Sequence, residues 1–350
     1  KVQGEIRKRF FCTFLYYAAE KYCLMYTTGG KICLRLKIGR NLKNIMNAVV
    51  LEKIVEMFII MMGGVIACKT GLIDENTTKK MSNLLLMLVS PLLIFQSYQM
   101  DFNIEFFYGL LWTLLASIIA FIIMIVLANI IYKGDDHRLS VEKMSTIYSN
   151  CSFIGIPLVD GILGAEGVLY LTAYVTVFNI LVWTNGVWIM GGGSDLKSAW
   201  KNLVSPAILS VFIGVFCFVM QIHLPEIVSE PVQMIADMNT PLAMIVAGSN
   251  LARTNILKSL KNVRLYSVSF VRLLLFPLTS VAVLYLMHLE FYISFTVFIA
   301  TACPAGATTI MFAEKYGRDA RYASEIFTVT TVLSAVTIPL LSMMSVSLLG

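Results

Sequence analysis

Ten apolar stretches, each about 18 residues or longer, constrain this chain more than any other feature. They lie near 48–68, 82–100, 106–132, 143–162, 166–190, 203–222, 231–252, 265–288, 291–313 and 322–348. Crossing the hydrocarbon core takes about 20 apolar residues as a helix, and about half that as a strand. An unpaired backbone group in lipid costs several kcal/mol, so runs of this length fit helices, which satisfy their own backbone. Apolar residues make up 58% of the 350-residue chain, and the charged 14% collect between the runs. Mean hydropathy is +0.78. This composition excludes an ordinary soluble globular fold and predicts an all-α polytopic membrane protein with ten transmembrane helices. Its expected surroundings are the lipid bilayer, with no nucleic acid as partner.

The charge between the runs is one-sided. The odd loops and their flanks carry fifteen Lys or Arg, including Lys69, Lys133, Lys197, Arg264 and Arg318, and the even loops carry none. The positive-inside rule then places the odd loops in the cytoplasm and both termini outside a cytoplasmic membrane. Residues 1–45 do not fit this pattern. They hold ten Lys or Arg against two acids, whereas the remainder is close to neutral. Met46 stands directly before the first clean span, so residues 1–45 are expected to be a non-native or disordered basic extension. A genuine basic arm is the other reading.

The ten spans divide into two sets of five. Ser90-Pro91-Leu92 in span 2 is matched by Thr240-Pro241-Leu242 in span 7, and Pro157 in span 4 by Pro304 in span 9. Gly164 after span 4 is matched by Gly317 after span 9, and all three offsets lie near 150 residues. Five is odd, so the second copy enters the bilayer from the opposite side: an inverted repeat of the kind common in secondary transporters. The expected organisation is residues 46–190 as the first repeat, 191–202 as a short cytoplasmic linker and 203–350 as the second repeat.

Spans 4 and 9 are not written as ordinary membrane helices. Span 4 contains Ser149-Asn150-Cys151-Ser152-Phe153-Ile154-Gly155-Ile156-Pro157, and span 9 contains Cys303-Pro304-Ala305-Gly306-Ala307-Thr308-Thr309. Pro157 lacks an N–H, so the carbonyl four residues earlier loses its helical partner. Such a break persists only inside protein or beside a water-filled cavity. Two broken helices crossing near the midplane would present half-helix N-termini, each worth about +0.5 of a charge, to an anion such as a carboxylate. The candidate substrate residues are therefore Ser149, Asn150, Cys151, Ser152, Gly155, Pro157, Cys303, Pro304, Ala305, Gly306 and Thr308, with Asn179 as a polar lining residue. Two proline kinks packed for shape alone would be the plainer reading. Arg272 in span 8 and Glu325 in span 10 are candidates for charge balance or coupling. The alternatives are snorkelling or an internal pair for Arg272, and an interfacial i, i−4 pair with Arg321 for Glu325.

Other chemistries lack their motifs. There is no GxxxxGK[ST] loop for ATP, no GxSxG nucleophile elbow and no Cys/His set with metal-ligand spacing among the seven cysteines. No enzyme, metal or cofactor is expected. No paired intramembrane carboxylates signal sodium or proton antiport.

The runs SNCSFIGIPL (149–158), SPAILSVFIG (205–214) and TPLAMIVAGSNLA (240–252), with the long run from Pro304 to Leu340, resemble the auxin efflux carrier family. That family includes plant auxin exporters and many bacterial permeases, and order and spacing fit the bacterial branch best. The resemblance covers about 46–350. It implies a scaffold of spans 1, 2, 6 and 7, a mobile transport domain of spans 3–5 and 8–10, a homodimer and an elevator-like movement. It also implies a small organic anion as substrate, auxin in plants or malate- and malonate-like dicarboxylates in some bacteria. Plant exporters place Asn-Pro-Asn-Thr-Tyr at the span 4 break. Here only Asn150 carries over, and the span 5–6 connection is short, which speaks against auxin itself. The function expected is a secondary carrier or facilitator for small organic anions. A sodium-coupled symporter and, more remotely, a non-transporting ligand sensor are the alternatives.

Overall fold

A computed structural model describes residues 33–134, 136–192, 206–254, 259 and 262–349. The expected tail 1–45 thus falls outside the described residues as far as residue 32, and most of the 191–202 linker does as well. Two units divide the chain, Lys1–Val49 and Val50–Gly350. The first helix, α1, runs Cys33–Lys69, so its backbone begins ahead of Met46.

All described regular structure is helical, and the described parts of the apolar runs are helical apart from short interruptions. After α1 come α2 (Glu75–Leu84), a π-turn at Leu85–Val89 and α3 (Ser90–Ser97), then α4 (Ile104–Ile131) and α5 (His137–Ile147). A π-turn at Cys151–Gly155 leads into α6 (Ile156–Leu181), and a further one at Val182–Gly186 into α7 (Val187–Gly191). The second half holds α8 (Pro206–Met220), α9 (Glu226–Ala236), α10 (Asn239–Arg253) and α11 (Val263–Phe270). A π-turn at Val271–Leu275 then joins α12 (Phe276–Met287), followed by α13 (Phe291–Ala302), α14 (Thr308–Lys315) and α15 (Ala320–Leu349). Three of the π-turns stand directly before Ser90-Pro91, Ile156-Pro157 and Phe276-Pro277. A missing N–H disrupts the regular ladder there, and one wider turn absorbs the fault.

Five continuous helical runs among the described residues are long and apolar enough to cross a membrane: Glu75–Ser97, Ile104–Ile131, Cys151–Gly191, Val263–Met287 and Ala320–Leu349. The run Cys151–Gly191 is not one rod. Gly164 has φ +65° and ψ −157°, a conformation closed to other residues, and it separates the ends of spans 4 and 5. Outward faces stay apolar: Ile59, Phe212, Leu286 and Val336 are all exposed. In water so much exposed apolar surface would drive association; in lipid it is the ordinary condition.

The two halves share their backbone punctuation. Positive-φ residues pair at the repeat offset: Gly71 with Gln221, Gly134 with His288, and Gly164 with Gly317. The π-turn at Leu85–Val89 in span 2 likewise corresponds to the interruption between α9 and α10 in span 7. The proline landmarks of spans 2 and 7 also meet, since the Ser90 hydroxyl donates to Asn239 Oδ1 at 2.8 Å. α1 and α10 approach backbone to backbone. A β-carbon on Gly64 would lie 2.8 Å from Ile245 Cα, and one on Gly248 would press on the Met61 carbonyl. Small residues at a helix crossing are what permit this in a membrane, where packing rather than water expulsion drives association.

Candidate functional site: the crossing of two broken helices

The breaks in spans 4 and 9 are paired with each other. α5 stops at Ile147, where Tyr148 turns extended, and α13 stops at Ala302, where Cys303 does the same. The two extended segments form an antiparallel bridge, Ser149 opposite Ala305. The Asn150 N–H donates to the Pro304 carbonyl at 2.8 Å, and the Gly306 N–H to the Tyr148 carbonyl at 3.0 Å. Each interrupted helix therefore supplies partners for the other's freed backbone, which is how non-helical chain survives at membrane depth. Gly306 permits the approach: a β-carbon there would lie 3.0 Å from the Ser149 carbonyl oxygen and 3.2 Å from that of Tyr148. The Ala305 N–H reaches Thr330 Oγ1 at 3.2 Å, tying the bridge to α15. On the other side, the Tyr148 hydroxyl donates within 2.9 Å of both the Leu181 carbonyl and Asn185 Oδ1.

Arg272 occupies the C-terminal ends of both broken helices. It is fully buried, so of its two plainer readings snorkelling does not apply and internal partners do. Its Nε donates to the Cys303 carbonyl at 2.9 Å, one terminal nitrogen donates to the Thr146 carbonyl at 2.8 Å, and the other to the Thr301 carbonyl. Thr146 lies in the last turn of α5, Thr301 in the last turn of α13, and Cys303 caps α13. Helix C-termini leave carbonyls without intrahelical partners and carry about −0.5 of a charge each. A guanidinium, with five donors in a planar fork, can hold two such ends at once.

The N-terminal ends are left open. Neither the turn beginning at Cys151 nor α14 has a side-chain cap. The Asn150 Nδ2, Thr308 Oγ1 and Thr309 Oγ1 atoms are buried without a hydrogen-bond partner. An unmet buried donor costs about 1–3 kcal/mol, and these three atoms lie beside two helix starts that no side chain caps. Residues 147–158 and 299–312 contain no Asp or Glu.

Of the residues expected at the site, Ser149, Asn150, Cys151, Gly155, Cys303, Pro304, Ala305 and Gly306 are brought together and buried, Pro157 is buried in the first turn of α6, and Ser152 and Thr308 are partly buried. A β-carbon on Gly155 would sit 3.4 Å from both Cys151 Cβ and Cys303 Sγ, so the crossing is closely packed. The void lined by Ile54, Met57, Ile154, Leu158 and Ser334 is only about 10 Å³, roughly one water.

Asn179 and Glu325 have partners of their own. The Asn179 amide donates to the Val175 carbonyl of its own helix at 2.9 Å. Glu325 pairs with Arg321 at 3.6 Å, the plainer of its two readings. With Arg138, Asn262, Asp319, Arg321 and Tyr322 it lines a separate polar cavity of about 320 Å³.

Tyr148, Thr330 and Glu142 were not singled out by sequence. Glu142 is 2% exposed and joins three helices. It accepts from Arg264 of α11 at 2.5 and 3.1 Å, and from the Tyr322 hydroxyl of α15 at 2.7 Å. A lone acid beside Lys143 reads as loop charge, and only a folded neighbour reveals its partners.

The halves that share this punctuation are also matched separately. The family described as membrane transport protein fits residues 49–196 and again residues 193–342. The chain belongs to this family, the auxin efflux carrier family. It is also similar to an uncharacterized transporter of Methanocaldococcus jannaschii, 21% identical over 283 residues and covering 77% of this chain and 90% of that protein. This auxin efflux carrier family member is accordingly a multi-pass membrane transporter and not an enzyme.

Proposed function

We propose that this chain is a secondary carrier or facilitator for small organic anions, carboxylates among them, working by alternating access. Its ten spans are read as two inverted five-helix repeats, residues 46–190 and 203–350 joined by the 191–202 linker, with spans 4 and 9 crossing at the substrate site. Odd loops would face the cytoplasm, both termini the outside of the cytoplasmic membrane, and two copies would form a homodimer. One observation carries the reading: two uncapped helix N-termini meet where Asn150 presents a buried, unpartnered amide and no carboxylate occurs in either break. Backbone N–H groups and a side-chain amide suit a carboxylate and repel nothing anionic. In this role Asn150 binds the anion, Thr308 and Ser152 supply hydroxyls, and Gly155 and Gly306 keep the backbones close. Pro157 and Pro304 maintain the breaks.

The test is a thermal-shift screen of the purified protein against mono- and dicarboxylates, followed by flux in proteoliposomes with and without proton or sodium gradients. At least one carboxylate should raise the melting temperature and cross the bilayer, while cationic amines of similar size do neither. Stabilisation by amines but by no carboxylate would refute the reading.

A further inference from the structure

The crossing contains one permanent cation, and its hydrogen bonds run to backbone. Arg272 is among the largest fully buried side chains of the described residues, and its Nε and both terminal nitrogens donate to main-chain carbonyls: Cys303, Thr146 and Thr301. These carbonyls come from two helices that sequence separates by about 150 residues, and Arg272 itself comes from a third. No other side chain among the described residues bonds to the C-terminal ends of both α5 and α13. Arg272 lies in the π-turn at Val271–Leu275, a stretch otherwise apolar.

We propose that Arg272 is a positioning residue: it clamps the C-terminal ends of both broken helices, and so holds the crossing in register and closed. Burial of a guanidinium is costly unless its donors are met, and here the unmet carbonyls of two helix ends meet them. With those negative ends compensated, the positive N-terminal ends beside Asn150 remain the uncompensated backbone charge at the crossing. The consequence for substrate rests on the anion reading above; the clamp does not.

The protein carries its own reporters. Cys151 and Cys303 flank the clamped segments and are fully buried, while Cys68 and Cys217, in spans 1 and 6, are partly exposed. Membranes containing the full chain would be treated with N-ethylmaleimide, and labelling at each thiol followed by mass spectrometry. R272Q should raise the labelling rate of Cys151 and Cys303 at least tenfold, with Cys68 and Cys217 within twofold of wild type. R272K keeps the charge but replaces the fork with a single ammonium, and should give a smaller rise, about threefold, at the same two thiols. Wild-type rates at Cys151 and Cys303 in R272Q would overturn the clamp, and so would an equal rise at all four thiols, which reports general loosening. If R272Q does not elute as a folded species on size exclusion, R272K decides: wild-type rates there overturn the proposal. Labelling requires no substrate, so a failure of every carboxylate to bind would sink the anion reading and leave the clamp to be judged by the thiols.

Discussion

Adjacent glycines in α1 should respond to the same substitution with opposite sign. Gly63 is exposed, and a β-carbon there would meet nothing within 4 Å. Gly64 is buried, and its β-carbon would lie 2.8 Å from Ile245 Cα and 2.9 Å from Ile245 C, closer still to the carbonyl oxygen. These are backbone atoms of α10 and cannot rotate aside. Restoring 3.4 Å from the carbonyl oxygen requires the two helices to separate by about 1 Å at that point. A radial gap of this size forfeits about half of the van der Waals attraction of the lining atoms. Overpacking of this kind costs about 1–3 kcal/mol, whereas a helix-interior Gly→Ala change without strain gains about 0.5–1 kcal/mol. Gly63→Ala should therefore be stabilising by about 0.5–1 kcal/mol. Gly64→Ala should be destabilising by about 1 kcal/mol or more net of the same gain. Gly248→Ala, the reciprocal contact on α10 against Met61, should behave like Gly64→Ala. The assay is reversible unfolding in mixed micelles by SDS titration, read by circular dichroism. Equal effects of Gly63→Ala and Gly64→Ala, in either direction, would refute the backbone-contact argument.

Other consequences can be measured in the same preparations. Asn150→Ala removes an amide that satisfies nothing within the protein, so stability should change by less than about 1 kcal/mol while anion flux falls at least tenfold; wild-type flux would exclude Asn150 from the site. Gly164→Ala and Gly317→Ala add a β-carbon in open space but at positive φ. Gly317→Ala should cost about 1–2 kcal/mol of backbone strain on SDS titration, with Asn milder than Ala, and Gly164→Ala more, up to about 3 kcal/mol, because its backbone lies in a region essentially confined to Gly. Glu142→Gln weakens the charge-assisted bonds from Arg264 and Tyr322. Because Arg264 is 44% exposed and regains water, the loss should be about 1–2 kcal/mol, larger than that of Arg321→Gln, whose Glu325 partner is more loosely placed.

The legible part of the site was its chemistry; the illegible part was its mutual support. SNCSFIGIP and CPAGATT stand out because polar, small and proline residues are anomalous in an apolar span, and the crossing is indeed made of them. Asn179 shows the limit of that signal. A polar residue in a membrane helix can bond back to its own i−4 carbonyl, and nothing in its one-letter context distinguishes this from cavity lining. Arg272 shows the converse. The sequence marks it as an expensive charge, but two unrelated helix ends must be brought to it before burial becomes tolerable.

Hydropathy, the one-sided basic loops and the paired proline and glycine landmarks determined the class of protein, because bilayer thickness and backbone hydrogen bonding leave few solutions for such a chain. The landmark glycines Gly164 and Gly317 carry that information because positive φ excludes most other residues. Tertiary structure alone decided that the two breaks exchange backbone bonds across Ser149 and Ala305, that Arg272 closes their C-terminal ends and that Glu142 gathers Arg264 and Tyr322. Each of these joins residues far apart in sequence, and their complementarity resides in backbone groups that every residue shares and no sequence motif spells.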